Sequence, residues 1–151
     1  MNYQTIRAAF EAPISAAFAA LTPAVPVFFD NMGNTGVDSV DEFVHVNLQF
    51  GITNEATLTT SVDHARGVIV IRIYTPKDKG PARNQTLITT AVNVFETINS
   101  TAKPPTGVYA RTGAITGPDF GLQTTDQQSR RSFTPFFVGR VETPFQATIL
   151  P

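Results

Sequence analysis

An almost uninterrupted apolar run from Val68 to Tyr74 is the feature that most constrains how this chain can fold. Its residues are valine and isoleucine apart from Arg72 and the closing tyrosine, and β-branched side chains favour strands. Because apolar residues occupy both odd and even positions, both sides of such a strand meet other parts of the protein. The run therefore predicts a central strand of a β-sheet.

Two segments before this run are predicted to be extended as well. From Val44 to Phe50, apolar residues alternate with His45, Asn47 and Gln49, which predicts a half-buried strand with one wet face. Val27 to Phe29 is a shorter extended run that ends in a polar turn.

Two other segments carry apolar residues at helical spacing and are predicted to be amphipathic helices, from about Tyr3 to Ala20 and from about Ala82 to Asn99. The apolar positions are Ile6, Phe10, Ile14, Ala17, Phe18 and Leu21 in the first helix and Leu87, Ile88, Ala91, Phe95 and Ile98 in the second. Pro13 predicts a kink or a break in the first helix. Pro81 suits the first position of the second.

After the second helix the chain is predicted to be extended from Val108 to Ile115 and from Phe133 to Ile149. The polar stretch at residues 116–132 is predicted to be a long hairpin or arm, because too little chain follows it to form a second core. The order helix, strands, helix, strands predicts an α+β fold, with a mainly antiparallel β-sheet flanked by two helices. A length of 151 residues is typical of one domain, which would span residues 1–151.

Composition argues against several classes of function. The formal net charge is -1, so no global positive field exists to hold nucleic acid or an anionic membrane. The chain has no cysteine, which excludes disulfides and thiolate chemistry. No continuous apolar run reaches the roughly 18 residues that a membrane-spanning helix needs. We therefore expect a soluble protein with no membrane partner and no specific binding of nucleic acid.

The low content of charged residues indicates contact with other proteins. Charged residues make up 15% of the chain, well below the roughly 25% of an ordinary soluble domain. Each charge that is buried unpaired at an interface costs several kcal/mol, so a charge-poor surface suits close packing against neighbours. A weakly charged monomer is the alternative.

Five basic residues are the candidates for directed contacts with a neighbour. Lys77, Lys79 and Arg83 surround the predicted start of the second helix, where they could hold an anion or form the charged rim of an interface. A solvated turn is the alternative. Arg130 and Arg131 close the polar arm and could bind carboxylates of a neighbour, unless they belong to an exposed arm stem.

No combination of residues predicts a catalytic, cofactor or metal site. His45 and His64 lie far apart in the sequence, and Asp63 next to His64 is not accompanied by a nucleophile elbow around a serine. Asp38, Asp41 and Glu42 could bind a hard cation, but aspartates in turns also cap the backbone. We expect a protein that is not an enzyme and carries no cofactor.

Three segments, in their order and spacing, resemble the tail terminator (tail completion) family of tailed bacteriophages. They are the opening Met1 to Glu11, the stretch from Arg66-Gly67 through Tyr74-Thr75-Pro76-Lys77 to Gly80, and the closing Phe137 to Phe145. The similarity covers nearly the whole chain.

The resemblance implies a subunit of a six-membered ring that caps the tail tube and joins it to the head-side connector or stopper protein. Its implied partners are itself, the tail tube protein and that connector, with DNA passing through the ring lumen rather than being bound specifically. Its implied place is the neck of the virion, reached from the host cytoplasm during assembly.

Strand edges are the natural means of joining such subunits, and we expect the join at Phe133 to Ile149 and in the arm before it. Another connector or neck subunit, or a tail tube protein, is an alternative within the same class. From a different class, the alternative is a small enzyme or ligand-binding module with an apolar pocket. Such a pocket would be lined by Phe28, Phe29, Phe50 or Phe95.

Overall fold

A computed structural model of the chain describes residues 2–30, 42–55, 62–76, 80–122 and 136–151. These residues form two helices and a curled, mostly antiparallel sheet of six strands, so the α+β class is confirmed. In chain order the elements are α1 (Tyr3–Ala19), β1 (Val27–Phe28), β2 (Phe43–Glu55), β3 (Asp63–Pro76), α2 (Ala82–Ser100), β4 (Gly107–Thr112), β5 (Thr116–Leu122) and β6 (Phe136–Leu150).

The strands lie in the order β1-β2-β3-β6-β4, and β5 also pairs with β6. β1 is parallel to β2, and every other pair is antiparallel. The predicted central strand is confirmed, because Ile71 in β3 lies opposite Val46 of β2 and Val141 of β6. β4 and β5 lie end to end along the same side of β6, so together they form one interrupted edge strand.

Both helices pack on the same face of the sheet. Each buries a stripe at helical spacing, and together these residues form the main core with the inward positions of β2, β3 and β6. The Phe10 ring of α1 lies 4.8 Å from the Phe145 ring of β6. Pro13 does not end α1, which continues to Ala19. Buried Phe10 and Ile14 on either side offset the roughly 3 kcal/mol that an internal proline costs.

The start of α2 is fixed to the sheet by one buried side chain. The amide nitrogen of Asn84 donates to the carbonyl oxygens of Ile73 and Phe137 and to the hydroxyl of Thr75. Gly139 makes this approach possible, since a Cβ there would lie 2.0 Å from the Asn84 side-chain oxygen. The two N–H hydrogens of this amide, shared among three acceptors, therefore set the position of α2 over β3 and β6.

The opposite face of the sheet carries a smaller aromatic cluster at one end. Phe43, Tyr74 and Phe136 are buried there, and the Phe43 and Tyr74 rings stack at 4.3 Å. The row next to it is polar, because register places His45, Arg72, Arg140 and Asp119 opposite one another. The aromatic cluster is therefore confined to one end of this face. Along β2 the predicted alternation holds from Val44 to Leu48, where His45 and Asn47 are half-buried between buried apolar residues.

Two expectations for the C-terminal third need correction. The first seven residues of the predicted arm at 116–132 form β5, which belongs to the sheet, while residues 123–135 lie outside the described part of the chain. The final extended run, which we expected to supply a joining edge, is an interior strand. β6 has β3 on one side and β4 with β5 on the other, so its main chain is already paired.

Candidate assembly surface

The sheet ends in two unlike edges. One edge is formed by β1 and by the part of β2 beyond it, and the other by β4 and β5. No strand in the described ranges pairs with the outer side of either edge. The two edges also run in opposite directions, because each step from β2 through β3 and β6 to β4 reverses the chain direction. An unpaired strand edge is a template for pairing with another chain.

Part of the first edge is blocked by side chains. The Asp30 carboxylate accepts a hydrogen bond from the Leu48 N–H at 3.0 Å, and the Arg7 guanidinium donates to the Leu48 carbonyl at 3.3 Å. Arg7 also pairs with Asp30 at 2.9 Å and with Glu11 at 2.8 Å. The main chain of Leu48 is therefore already satisfied, and another strand cannot pair with β2 at this point.

The hydrogen bonds that block the β2 edge also lower the pKa of Asp30. Burial of its carboxyl group would raise the pKa of Asp30, but hydrogen bonds from Arg7, the Leu48 N–H and Asn47, together with the Arg7 charge, hold it below its ordinary value. The ionised form of Asp30 is thus the form that the fold stabilises.

Beyond the block, the far end of β2 exposes one large apolar side chain among polar residues. Ile52 is 61% exposed and follows an irregularity in the β2–β3 register. Tyr3, which is 47% exposed, packs its ring edge-on against Phe50 at 4.9 Å and donates its hydroxyl hydrogen to Thr53. The register of the sheet places Ile52 opposite Arg66 of β3, and places Arg66 on one row with Arg111 of β4.

The second edge carries the other exposed large hydrophobic side chains of the described residues. Ile115 and Phe120 are 37% and 39% exposed, and Phe120 stacks on Phe137 with centroids 5.8 Å apart. Beside Phe120 an open groove of about 310 Å³ runs between β5 and α2. Its lining residues are uncharged: Gln85, Ile88, Thr89, Val92, Pro118 and Phe120.

The outward face of α2 is less polar than its composition indicates. Four threonines on it donate their hydroxyl hydrogens to the carbonyl one turn earlier: Thr86, Thr89, Thr90 and Thr97. Those hydroxyl groups therefore already donate a hydrogen bond within the helix, which leaves the threonine methyl groups available for apolar contacts. Glu96 is the only exposed charged residue of α2. This face suits a protein neighbour better than a charged ligand.

Of the predicted basic contact residues, the structure describes one. Arg83, at the start of α2, is half-buried and makes a forked ion pair with Glu42, and the hydrogen bond from that pairing raises its pKa. Its charge is balanced within the chain, so a role at an interface stays a prediction. Lys77, Lys79, Arg130 and Arg131 lie outside the described residues.

The residues weighed for chemistry are not brought together. Glu42 belongs to the Arg83 pair, while Asp38 and Asp41 lie outside the described ranges. The His64 ring contacts the Thr148 hydroxyl at 2.9 Å. Phe95, Phe29 and Phe50 belong to the main core, whereas Phe28 packs on the opposite face, so the four phenylalanines do not line one pocket.

The β5 edge and its groove are the part of the candidate surface that sequence reasoning missed. Pro118 and Phe120 lie inside residues 116–132, for which the sequence predicts a long hairpin or arm because too little chain follows to form a second core. A signal was present, since Pro118, Phe120 and Leu122 occupy alternate positions, as in a half-buried strand. Gly117, Pro118 and Gly121, which are unusual within a strand, hid that alternation.

Comparison with known proteins identifies the fold and no more. No family model matches the chain, and no curated protein matches it. A solved structure matches over 100% of this chain and 99% of its own, with a TM-score of 0.62 and 19% sequence identity. At that identity the likeness is one of fold alone.

Within the described ranges, no helix is both long and apolar enough to cross a membrane.

Proposed function

We propose that this chain is a tail terminator subunit of a tailed bacteriophage, which acts by forming a ring, of six copies in the family it resembles. In this proposal the ring caps the tail tube and presents its other side to the head-side connector or stopper protein. The subunit is made in the host cytoplasm and ends in the neck of the virion. It carries out no bond-making chemistry.

The observation that supports the proposal best is the pair of unlike open edges. When every copy joins by one edge to the other edge of the next copy, the contact is head-to-tail, and a suitable rotation closes it into a ring. Opposite strand directions at the two edges allow each join to continue the antiparallel pattern of the sheet. The charge-poor surface of α2 fits the same purpose, because few charges would be buried between neighbours.

Termination follows from closure. A ring has no free growing end in its own plane, so assembly stops at a fixed number of copies. Its two sides are formed by different loops and strand ends, so one side can match the tube while the other does not. Growth of the tube therefore ends where the ring binds.

Electron microscopy of the purified protein, alone and mixed with tail tubes, tests the proposal. We expect closed rings alone and rings at one end of each tube in the mixture. Long filaments from the protein alone would favour the tail tube alternative. Rings that never bind a tube, but that bind the head-side connector in a second mixture, would favour another neck subunit. A stable monomer that does not bind tubes would contradict both proposals.

The groove beside Phe120 gives the ligand-binding alternative a specific test. A ligand that prefers the native state raises the apparent stability by mass action. We expect no shift of the melting temperature with metals or metabolites. A reproducible shift that Phe120→Ala abolishes would favour a binding module.

A further inference from the structure

We propose that neighbouring copies are joined by β1 of one copy and β5 of the next, as an antiparallel strand pair with no shift along the strands. The inference rests on the proposed ring and adds which parts of the two edges meet. The partner at each edge is a second copy of this chain.

The register of the sheet places β1 and β5 at the same level. Val27 lies opposite Val44, which lies opposite Ile73 of β3. Ile73 lies opposite Gly139 of β6, which in turn lies opposite Phe120. Val27 and Phe120 are therefore on one row that crosses the whole sheet, at its two ends. Copies placed side by side without a shift bring these two residues together.

Direction and side also match. β1 runs parallel to β2, and β5 runs opposite to β2, so the two edges meet as an antiparallel pair when the copies keep the same orientation. Val27 shares its row with Val44 and Ile73 of the main core, so it lies on the face that carries the helices. Phe120 lies on that face as well, beside α2. Their side chains therefore meet on the same side of the joined sheet.

The chemistry of the two surfaces is matched. Val27 and Phe29 of the β1 segment are half-buried and apolar, and next to them Val25 is buried. The groove between β5 and α2 is apolar at Ile88, Val92 and Phe120, and none of its lining residues is charged. The join therefore covers apolar surface on both copies and buries no unpaired charge at the groove.

The rest of the two edges fits less well. Asp30 and Arg7 occupy the main chain of Leu48, so β2 cannot pair there. Farther along, exposed Ile52 is level with Arg111, whose guanidinium is bound to the carbonyl oxygens of Ile98, Ala110 and Thr101. At this point the apolar side chain of Ile52 would lie opposite Arg111, whose guanidinium already donates to carbonyl oxygens of its own chain. The apolar match is therefore found at β1 with β5 on the helix face, while on the other face the same register places Phe28 opposite exposed Asp119.

Cross-linking of paired cysteines tests the register, and the natural chain contains no cysteine. If Val27 faces Phe120, then Pro26 faces Gly121, where a Cβ has open space. We expect Pro26→Cys with Gly121→Cys to give a covalent ladder up to the ring size with a short bis-maleimide. Either single variant should give no ladder, since a head-to-tail contact never brings identical residues together.

Ile52→Cys with Gly121→Cys is the matched control. Ile52 lies on the row of Gln146 and Gly121 on the row of Val138, about 27 Å apart along β6 at the usual rise of a strand. We expect no ladder from this pair. A ladder from the control pair, or none from the Pro26 and Gly121 pair while the double variant still forms rings, would overturn the inference.

Charge insertion provides a second readout. Phe120→Glu should convert rings to monomers at least tenfold more readily on dilution, whereas Ile52→Glu should leave the rings intact, with folding checked by circular dichroism. Rings that persist in Phe120→Glu but break in Ile52→Glu would refute the β1–β5 join and leave the ring itself standing. An unmodified chain that is monomeric would instead refute the ring and this inference together.

Discussion

The interior of the sheet and its two edges differ in packing. Between β3 and its neighbours there is no room for one added methyl group, whereas at the two edges large apolar side chains are exposed to solvent. A Cβ on Gly67 would lie 2.0 Å from the Gln49 carbonyl oxygen, and one on Gly139 would meet Asn84. By contrast, Ile52 and Phe120 are 61% and 39% exposed. The difference teaches that the packing of the interior and the proposed assembly depend on separate residues, so each can be disturbed separately.

The largest loss of stability is expected from Gly67→Ala. The new methyl group meets a strand backbone and the Phe145 ring, and a paired backbone cannot move aside. We expect the free energy of unfolding to fall by about 3 kcal/mol, measured by urea titration. Gly121→Ala is the control and should change stability little, because a Cβ there meets nothing within 4 Å. Equal losses for both variants would contradict the contrast between interior and edge.

A smaller loss is expected from Asp30→Ala, which removes the carboxylate that accepts from Leu48, Arg7 and Asn47. Leaving such partly buried donors unpaired costs about 2 kcal/mol. Asp119→Ala, on an exposed residue of β5, is the control and should stay within about 0.5 kcal/mol of the unmodified chain.

The pH dependence of Asp30 follows from the direction of its shift. Because its folded pKa lies below the unfolded value, its contribution is complete above the unfolded pKa of about 3.9 and is lost as the pH falls through the folded value. Urea titrations at successive pH values should show that Asp30→Asn loses less stability on acidification than the unmodified chain. The same loss in both chains would show that Asp30 is not the group responsible.

The smallest effect is expected from Arg111→Ala. The guanidinium donates to the carbonyl oxygens of Ile98 and Thr101 at the end of α2, where a cation is also favoured by the helix dipole. We expect a loss of about 1 kcal/mol, measured by thermal melting. Arg66→Ala, an exposed arginine on β3, should have less effect, and the opposite order would be evidence against the capping role.

Elements that depend on neighbouring residues could be predicted from the sequence, whereas pairings between distant segments could not. Both helices and the central strand at Val68 to Tyr74 could be predicted because each depends on a periodicity within a few neighbouring residues. The strand at β5 was missed because Pro118 and two glycines argue locally for a loop, while its pairing with β6 is not local. β6 was taken for an edge for the same reason, since its partners come from three other segments.

The candidate surface was harder to predict than the fold. Arg83 looked available in the sequence, and only the fold brings Glu42, 41 residues earlier, into an ion pair with it. Asp30 looked like an ordinary turn residue, yet it blocks the β2 edge at Leu48. Such pairings are set by the packing of distant segments, which no local pattern encodes.

The mass of the purified chain in native mass spectrometry tests most directly whether it acts through association of identical copies by two unlike edges. We expect a single closed oligomer, six copies if the family resemblance holds, that does not grow as concentration rises. A monomer at every concentration, or a series of ever longer polymers, would contradict that account.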